Sequence, residues 1–155
     1  DLLYKDRIVK EKYIFAYYVV ENEMLSKCAQ RAAKEYGYRL IELHYKKTPK
    51  IKGENMIFDA GPSEFLTYIR DAELVLTNSF HGTVFSVLFQ KLFYSVYKEN
   101  GRITNLLTFL NLERRHIETD TKMDFKDKID YTTVAEKLCS YREKSVEYLE
   151  KGIEQ

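Results

Sequence analysis

The sequence predicts an α/β fold in which helices cover both faces of an open parallel sheet. Short apolar runs rich in β-branched and aromatic residues, such as YIFAYYVV at 13–20, alternate with amphipathic helical patterns. Few polar residues interrupt these runs, as is typical of strands that are buried on both faces. Short turns separate the elements, and strands that are joined through helices pair in parallel. Together these observations indicate a Rossmann-like sheet.

Strand predictions follow the apolar runs in chain order. After the first run, YRLIELHY is the second, and MIFDA is a brief further segment. ELVLT and KLFYSVYK have the same buried character, and a predicted helix precedes each of them. The predicted strands therefore span 13–20, 38–45, 73–77 and 91–98.

Helix predictions rest on apolar residues at helical spacing and on signals at the helix ends. MLSKCAQRAAKEYG carries an apolar stripe from Met24 to Tyr36, and Gly37 suits the position that ends a helix. Gly61-Pro62 precedes SEFLTYIRDA, and proline is favoured in the first helical turn. The other helical patterns lie at 79–90, 100–112 and 131–154, and the last of these can be interpreted as one helix or as two pieces.

A chain of 155 residues suits one domain with a sizeable core. We predict a polar linker or boundary segment at 1–12 and a single domain at 13–155. A net charge of +1, with acids and bases interspersed, gives no argument for nucleic-acid binding or for a membrane-surface role. No signal peptide and no apolar run long enough to span a bilayer is recognisable. Cys28 and Cys139 both fall in amphipathic helical patterns, so we expect two buried, reduced thiols in a cytoplasmic protein.

The stretch TNSFHGT at 77–83 puts several polar groups at the predicted join of a strand and a helix. His81 would lie in the first helical turn, where unpaired backbone N–H groups and the helix dipole favour an anion. Ser79 and Thr83 could add hydroxyl donors, and Gly82 would allow close approach to the backbone. An imidazole at this position is suited to contacting the anion or to moving a proton.

The same residues also have structural interpretations. Asn78 or Ser79 would serve as the helix cap, Gly82 would serve packing, and the histidine would have no catalytic task. Two other turns are expected at the same edge, because parallel strands end together at one edge of a sheet. They bring Glu21 and Gly61 to the site, with a helix cap and a rigid turn as the respective alternatives. No histidine or cysteine has neighbours at metal-ligand spacing, so no metal and no cofactor is predicted.

The stretch DAGPSEFLTYIRDAELVLTNSFHGTVFSVLFQKLFYSV resembles the signature region of the polysaccharide pyruvyl transferase family. It carries Gly-Pro before a helix with Phe-Leu, then Ala-x-Leu-Val-x-Thr, a Ser-Phe-His-Gly element and an apolar helix that leads into a strand. The downstream pattern GRITNLLTFLNL also suits the family. The specific part of the resemblance covers residues 57–112, and a looser pattern covers most of the chain from Tyr13 onward.

The resemblance implies the C-terminal, Rossmann-like half of a two-domain enzyme that is similar to GT-B glycosyltransferases. Its activity would be transfer of a pyruvyl group from phosphoenolpyruvate to a sugar of a bacterial cell-surface polysaccharide, with His81 as the catalytic residue. The predicted substrate-binding residues are Asn78, Ser79, Gly82, Thr83, Gly61, Glu21 and Arg102. The partners would be phosphoenolpyruvate, a saccharide acceptor and the N-terminal half of the same protein. A cytoplasmic location, with peripheral association at the inner face of the membrane, would suit exopolysaccharide biosynthesis, and the isolated domain is expected to be inactive.

One position departs from the family pattern. Well-known members carry Arg-Leu-His where this chain has Ser79-Phe80-His81, and the arginine is expected to hold the charge of the donor. A neutral hydroxyl cannot replace a bidentate guanidinium. Arg102 opens the helix after the fourth strand and is the candidate to compensate; its alternative is a solvent-exposed helix residue. Two other functions therefore stay open, a GT-B-type glycosyltransferase half that binds a nucleotide-sugar and a non-catalytic binding domain of the same fold.

Overall fold

The structure, a computed structural model, describes residues 6–45, 55–119, 123–124 and 127–153. The strands are β1 (Tyr13–Tyr18), β2 (Arg39–His44), β3 (Met56–Ile57), β4 (Leu74–Thr77), β5 (Phe93–Val96) and β6 (His116–Ile117). These six parallel strands form one sheet in the order β3-β2-β1-β4-β5-β6. This is the strand order of the Rossmann fold, so the prediction of a Rossmann-like α/β sheet is confirmed.

Helices cover both faces of this sheet. They are α1 (Glu23–Tyr36), α2 (Pro62–Asp71), α3 (Phe80–Leu88), α4 (Gly101–Leu110) and α5 (Tyr131–Ile153). Leu25 and Ala29 of α1 pack with Ile14 of β1 on one face. The other four helices contribute to the core on the opposite face, around Phe15. Successive residues of a strand point to opposite faces, so β1 takes part in both cores.

Polar caps fix where three of the helices begin. The side-chain oxygens of Asn22, Ser79 and Asn100 accept hydrogen bonds from backbone N–H groups in the first turns of α1, α3 and α4. α1 ends at Gly37, whose left-handed conformation (φ 65°) is one that glycine adopts without strain. These signals are local in the sequence, which is why the predicted and observed helix ends agree closely.

Some features differ from the sequence predictions. The last helical pattern forms one continuous helix, α5, and not two pieces. β6 was not predicted, because two residues leave too short an apolar run. Cys28 is buried as expected, but Cys139 is exposed because it lies where α5 extends beyond the core, so the prediction of a buried thiol is wrong there.

Two further observations concern the ends and the surface of the molecule. Of the predicted linker, residues 6–12 form neither helix nor strand, and residues 1–5 lie outside the described part of the chain. None of the helices that the structure describes is both long and apolar enough to cross a membrane.

Gly82 lies where α3 packs closely on β4. A Cβ atom at this position would lie 2.6 Å from the hydroxyl oxygen of Thr77 and 3.1 Å from its Cβ atom. Thr77 belongs to a central strand, and the backbone fixes its Cβ atom. The missing side chain of Gly82 therefore sets the distance between the start of the helix and the strand.

We expect Gly82→Ala to lower the free energy of unfolding by about 1–3 kcal/mol, because the added methyl group pushes α3 away from Thr77. Urea unfolding followed by circular dichroism measures this change. Gly101→Ala is the matched control, since a Cβ atom there would meet no described atom within 4 Å. Alanine in the first turn of α4 should be neutral or stabilising by up to about 1 kcal/mol. Equal losses in both variants would contradict the packing role of Gly82.

Candidate functional site

The strand order reverses between β1 and β4, at the centre of the sheet. From β1 the chain crosses to β2 on one side, and from β4 it crosses to β5 on the other. In open α/β sheets a crevice forms outside the carboxyl ends of two such strands, and ligands bind there. The segments that leave this point contain Glu21 and the stretch from Asn78 to His81, which runs into the first turn of α3, as the sequence predicted.

The side chain of Asn78 joins the two loops at this crevice. Its Oδ1 atom accepts a hydrogen bond from the backbone N–H of Val19 (2.9 Å), and its Nδ2 atom donates to the carbonyl of Val20 (2.7 Å). The residue is buried, and both functions of its amide are used. Asn78 thus holds the end of β1 beside the start of α3, and its predicted contact with substrate stays a prediction.

Asn22 makes a second link across the same edge. Its Oδ1 atom caps α1 through the N–H of Leu25 (2.9 Å), and its Nδ2 atom donates to the carbonyl of Val96 at the end of β5 (3.2 Å). The capping position therefore belongs to Asn22, and the interpretation of Glu21 as the helix cap is wrong. Glu21 is exposed in the loop that leaves β1, and its contact with a sugar stays a prediction.

Buried hydroxyl groups organise the first turn of α3. The hydroxyl oxygen of Thr77 accepts a hydrogen bond from the N–H of Ser79 (3.0 Å), and the hydroxyl of Ser79 accepts one from the N–H of Gly82 (3.3 Å). The Thr83 hydroxyl donates to the carbonyl of Ser79 (2.9 Å) and lies 2.8 Å from the hydroxyl of Ser95. Ser79, Gly82 and Thr83 are buried, so they hold the helix start in place, and their contacts with a ligand stay predictions.

His81 occupies the second position of α3 and is exposed to solvent. Its ring meets the ring of Phe80 edge-on, with the two centroids 5.9 Å apart. Backbone N–H groups in a first helical turn have no partner within the helix, and the helix dipole makes this end positive. The imidazole therefore lies beside a positively polarised helix end, at the edge where the strands terminate.

Arg102 reaches the same place from α4. Its guanidinium carbon lies 4.9 Å from the centroid of the Phe80 ring, which His81 also contacts. A cation over an aromatic ring contributes about 0.5–1 kcal/mol at exposed sites, which biases the side chain towards the ring. Arg102 is exposed, as one interpretation expected, and its guanidinium and the imidazole of His81 both lie near the ring of Phe80.

Gly61 begins α2 at the same edge of the sheet. Its backbone N–H donates to the carboxylate of Glu64 (2.6 Å), so the helix itself uses this donor. Pro62 follows in the first turn, as the sequence indicated. The rigid-turn interpretation of Gly61 is therefore confirmed, and its contact with substrate stays a prediction.

Tyr17 is a candidate site residue that the sequence analysis missed. It lies near the end of β1, is half-buried, and its ring centroid is 4.7 Å from that of Phe65 on α2. Burial raises the pKa of its phenol, and a hydrogen bond with Ser79 opposes that rise. A phenol beside the start of α3 is suited to hydrogen bonding with a ligand. Alternate residues of a strand point to the same face of the sheet. Because the run YIFAYYVV is apolar throughout, its pattern does not show to which face Tyr17 points.

A buried polar cluster lies at the end of β2. The ring of His44 stacks on Tyr18 with the centroids 4.1 Å apart, and the Tyr18 hydroxyl donates to Glu42 (2.8 Å). Burial lowers the pKa of His44, and the carboxylate of Glu21 opposes this shift. Burial also raises the pKa of Glu42. Within the described part of the chain, no group of three or more His, Cys, Asp or Glu side chains could hold a metal ion.

We expect Asn78→Asp to destabilise the protein by about 1–3 kcal/mol. The aspartate carboxylate still accepts the hydrogen bond from the N–H of Val19. It cannot donate to the carbonyl of Val20, so two acceptor oxygens would face each other there. Asn100→Asp is the matched control, because Asn100 caps α4 through its oxygen (3.3 Å to the N of Ile103) and aspartate is an equally good cap. Urea unfolding at neutral pH compares the two variants, and equal stabilities would contradict the linking role of Asn78.

The lowered pKa of His44 predicts a loss of stability on mild acidification. The unfolded chain takes up a proton near pH 6.5, whereas the folded chain does so only at lower pH. Stability should therefore fall as the pH drops below about 6.5, by at most about 1.4 kcal/mol per pH unit. His44→Phe should keep the stack on Tyr18 and flatten this profile, as measured by urea unfolding between about pH 7 and pH 5. Glu42→Gln is the comparison variant and should keep or steepen the slope, because the raised pKa of Glu42 contributes with the opposite sign. Identical profiles for wild type and His44→Phe would refute the assignment.

Comparison with known proteins identifies the family. The family model described as polysaccharide pyruvyl transferase matches residues 2–98, which is more than half of the chain and includes β1 to β5. The matched range contains TNSFHGT, Glu21 and Gly61, whereas Arg102 and α5 lie beyond it. A search of curated proteins gave no match. With the family model, the signature stretch and the sheet in agreement, the chain belongs to the polysaccharide pyruvyl transferase family.

Proposed function

We propose that this domain binds phosphoenolpyruvate at the start of α3 and provides the donor side of a pyruvyl transferase active site. The observation that carries the proposal is the exposed imidazole of His81, in the first turn of a helix that begins where the strand order reverses. The guanidinium of Arg102 shares the Phe80 ring with it. A small anion that docks here meets a helix N-terminus, an imidazole and a guanidinium.

The charges of the donor suit this arrangement. Phosphoenolpyruvate is negative at its phosphate and at its carboxylate, and helix N-termini favour phosphate. A guanidinium binds either group through two parallel hydrogen bonds. Ser79, at the position where other members carry arginine, is buried as a helix cap and has no charge to offer. Arg102 supports the proposal because it brings a permanent cation to the same edge from a different helix.

The chemistry of pyruvyl transfer needs a group that moves protons. Two hydroxyl oxygens of a sugar attack the carbon that becomes the ketal centre, the bond from that carbon to the phosphate oxygen breaks, and the methylene carbon gains a proton. Of the two protons that the hydroxyls release, one ends on the new methyl group and one on the phosphate. Imidazole is well suited to such transfers near neutral pH, and we assign this role to His81.

The acceptor and the second wall of the cleft belong to the same proposal. A further domain, equivalent to the N-terminal half of related two-domain enzymes, would supply that wall and most contacts with the saccharide of a cell-surface polysaccharide. The domain on its own would bind the donor without turnover. Because phosphoenolpyruvate is a cytoplasmic metabolite, we propose a cytoplasmic location and a role in exopolysaccharide biosynthesis.

A nucleotide-sugar is the second candidate ligand. The strand order is that of dinucleotide-binding sheets, and Ser79 lacks the charge expected for phosphoenolpyruvate. A diphosphate would occupy the same helix end. Phosphoenolpyruvate and a nucleotide-sugar are therefore alternative ligands for the same site, and a binding experiment distinguishes them.

Isothermal calorimetry with phosphoenolpyruvate tests the proposal on the intact protein. We expect saturable binding that Arg102→Ala weakens about tenfold or more, because a charge-assisted hydrogen bond contributes about 1.5–3 kcal/mol. His81→Ala should weaken binding as well and should abolish turnover. Arg114→Ala is the matched control, since Arg114 is exposed just before β6, at the opposite, amino-terminal edge of the sheet.

The outcomes are distinct. Binding of UDP- or GDP-sugars without binding of phosphoenolpyruvate would favour the glycosyltransferase alternative. Binding of neither ligand class would favour a non-catalytic domain. Phosphoenolpyruvate binding that neither His81→Ala nor Arg102→Ala affects would put the site elsewhere.

A further inference from the structure

The outer half of α5 carries apolar side chains away from the core. From Cys139 to Lys151 every side chain except that of Ser145 is exposed. Tyr141, Tyr148 and Leu149 are exposed by 61%, 79% and 62% of their surface. We call these three residues the outer stripe. Three large exposed apolar side chains on so short a stretch of helix indicate a surface that another molecule covers.

The outer stripe continues the buried face of the same helix. The residues of α5 that pack on the core are Tyr131, Val134 and Leu138, which are three or four residues apart. Tyr141 follows Leu138 after three residues, and Tyr148 follows Tyr141 after seven. Residues at these spacings lie on one side of a helix. Tyr141 still meets Phe109 of α4, with ring centroids 5.2 Å apart. The apolar face therefore runs unbroken from the core onto the exposed half of α5.

Basic residues border the outer stripe. Lys137, Lys144 and Lys151 follow one another at intervals of seven residues, and each is three or four residues from a tyrosine of the stripe. Arg142 borders the opposite side of the stripe. The acidic residues Glu136, Glu143 and Glu150 repeat with the same interval on the far side of the helix. Lys151 pairs with Glu147 (2.5 Å), but an exposed pair of this kind contributes little and leaves the lysine accessible.

This charge pattern selects among possible occupants. If two copies of α5 packed through their stripes in antiparallel orientation, the three lysines of each copy would face those of the other. In parallel orientation, Lys137, whose Nζ atom donates to the carbonyl of Phe109 (3.0 Å), would lie opposite Arg142 of the second copy. Like charges at such positions oppose pairing. An occupant that combines an apolar layer with a negatively charged border therefore suits this pattern better than a second copy of the chain does.

We propose that the outer half of α5 lies on an anionic lipid surface, with the stripe inserted at the level of the headgroups. Tyrosine favours this interfacial level because its ring is apolar and its hydroxyl is polar. Lysines that flank an apolar face reach anionic headgroups, and glutamates on the far side remain in water. The contact is peripheral and reversible, because three apolar side chains bury little surface. It is independent of the donor ligand, so vesicle binding and phosphoenolpyruvate binding can fail separately.

Co-sedimentation of the intact protein with lipid vesicles tests this proposal. We expect binding to vesicles that contain phosphatidylglycerol and weak or no binding to vesicles of phosphatidylcholine alone. The variant with Lys144→Glu and Lys151→Glu should bind about tenfold more weakly or worse, because each basic residue contributes about 1 kcal/mol near an anionic surface. Tyr148→Glu with Leu149→Glu should abolish binding. Glu143→Gln, on the far side of the helix, is the matched control and should bind as well as the wild type.

Three results would overturn the proposal. The first is no binding to anionic vesicles, which would leave an acidic protein surface as the occupant. The second is equal binding by the wild type and by the variant with both lysines reversed. The third is a dimer in light scattering that Tyr148→Glu with Leu149→Glu dissociates. None of the substituted side chains belongs to the core, so circular dichroism should show unchanged folding in every variant.

Discussion

The amide of Asn78 connects the two chain segments between which a ligand would bind. The carboxyl ends of β1 and β4 lie side by side, and their loops leave in different directions. A buried side chain that accepts from Val19 and donates to Val20 fixes the separation of these loops. The direction of α3, and with it the position of His81, depends on that separation. Removing one partner from a buried hydrogen-bond network also costs more stability than removing one from an exposed hydrogen bond.

The residues of TNSFHGT divide into two groups by their exposure. The hydroxyl groups of Thr77, Ser79 and Thr83 form hydrogen bonds with backbone atoms, and that of Thr83 also lies beside the hydroxyl of Ser95. Gly82 lets the helix approach the strand. His81 projects to solvent from this rigid base. The backbone that carries this exposed imidazole is held by buried hydrogen bonds, so it loses little freedom when a ligand binds.

Local signals explain how much of this structure the sequence could reveal. The four longer strands and the helix ends were predictable, because apolar runs and caps such as Asn22 act within a few residues. β6 was not, since a two-residue strand pairs with β5 only after the rest of the sheet exists. For the site, the helix-start position of His81 followed from the motif. The phenol of Tyr17 and the contact of Arg102 with Phe80 depend on strand register and on the packing of α4, which no local pattern encodes.

The two outer strands of the sheet are very short. β3 and β6 have two residues each, while the strands between them are longer and have a neighbouring strand on each side. An edge strand with only a few free N–H and C=O groups offers little template for another chain to add a strand. Within the described part of the chain, β3 and β6 themselves therefore offer little template for edge-to-edge aggregation, although the strands between them are apolar.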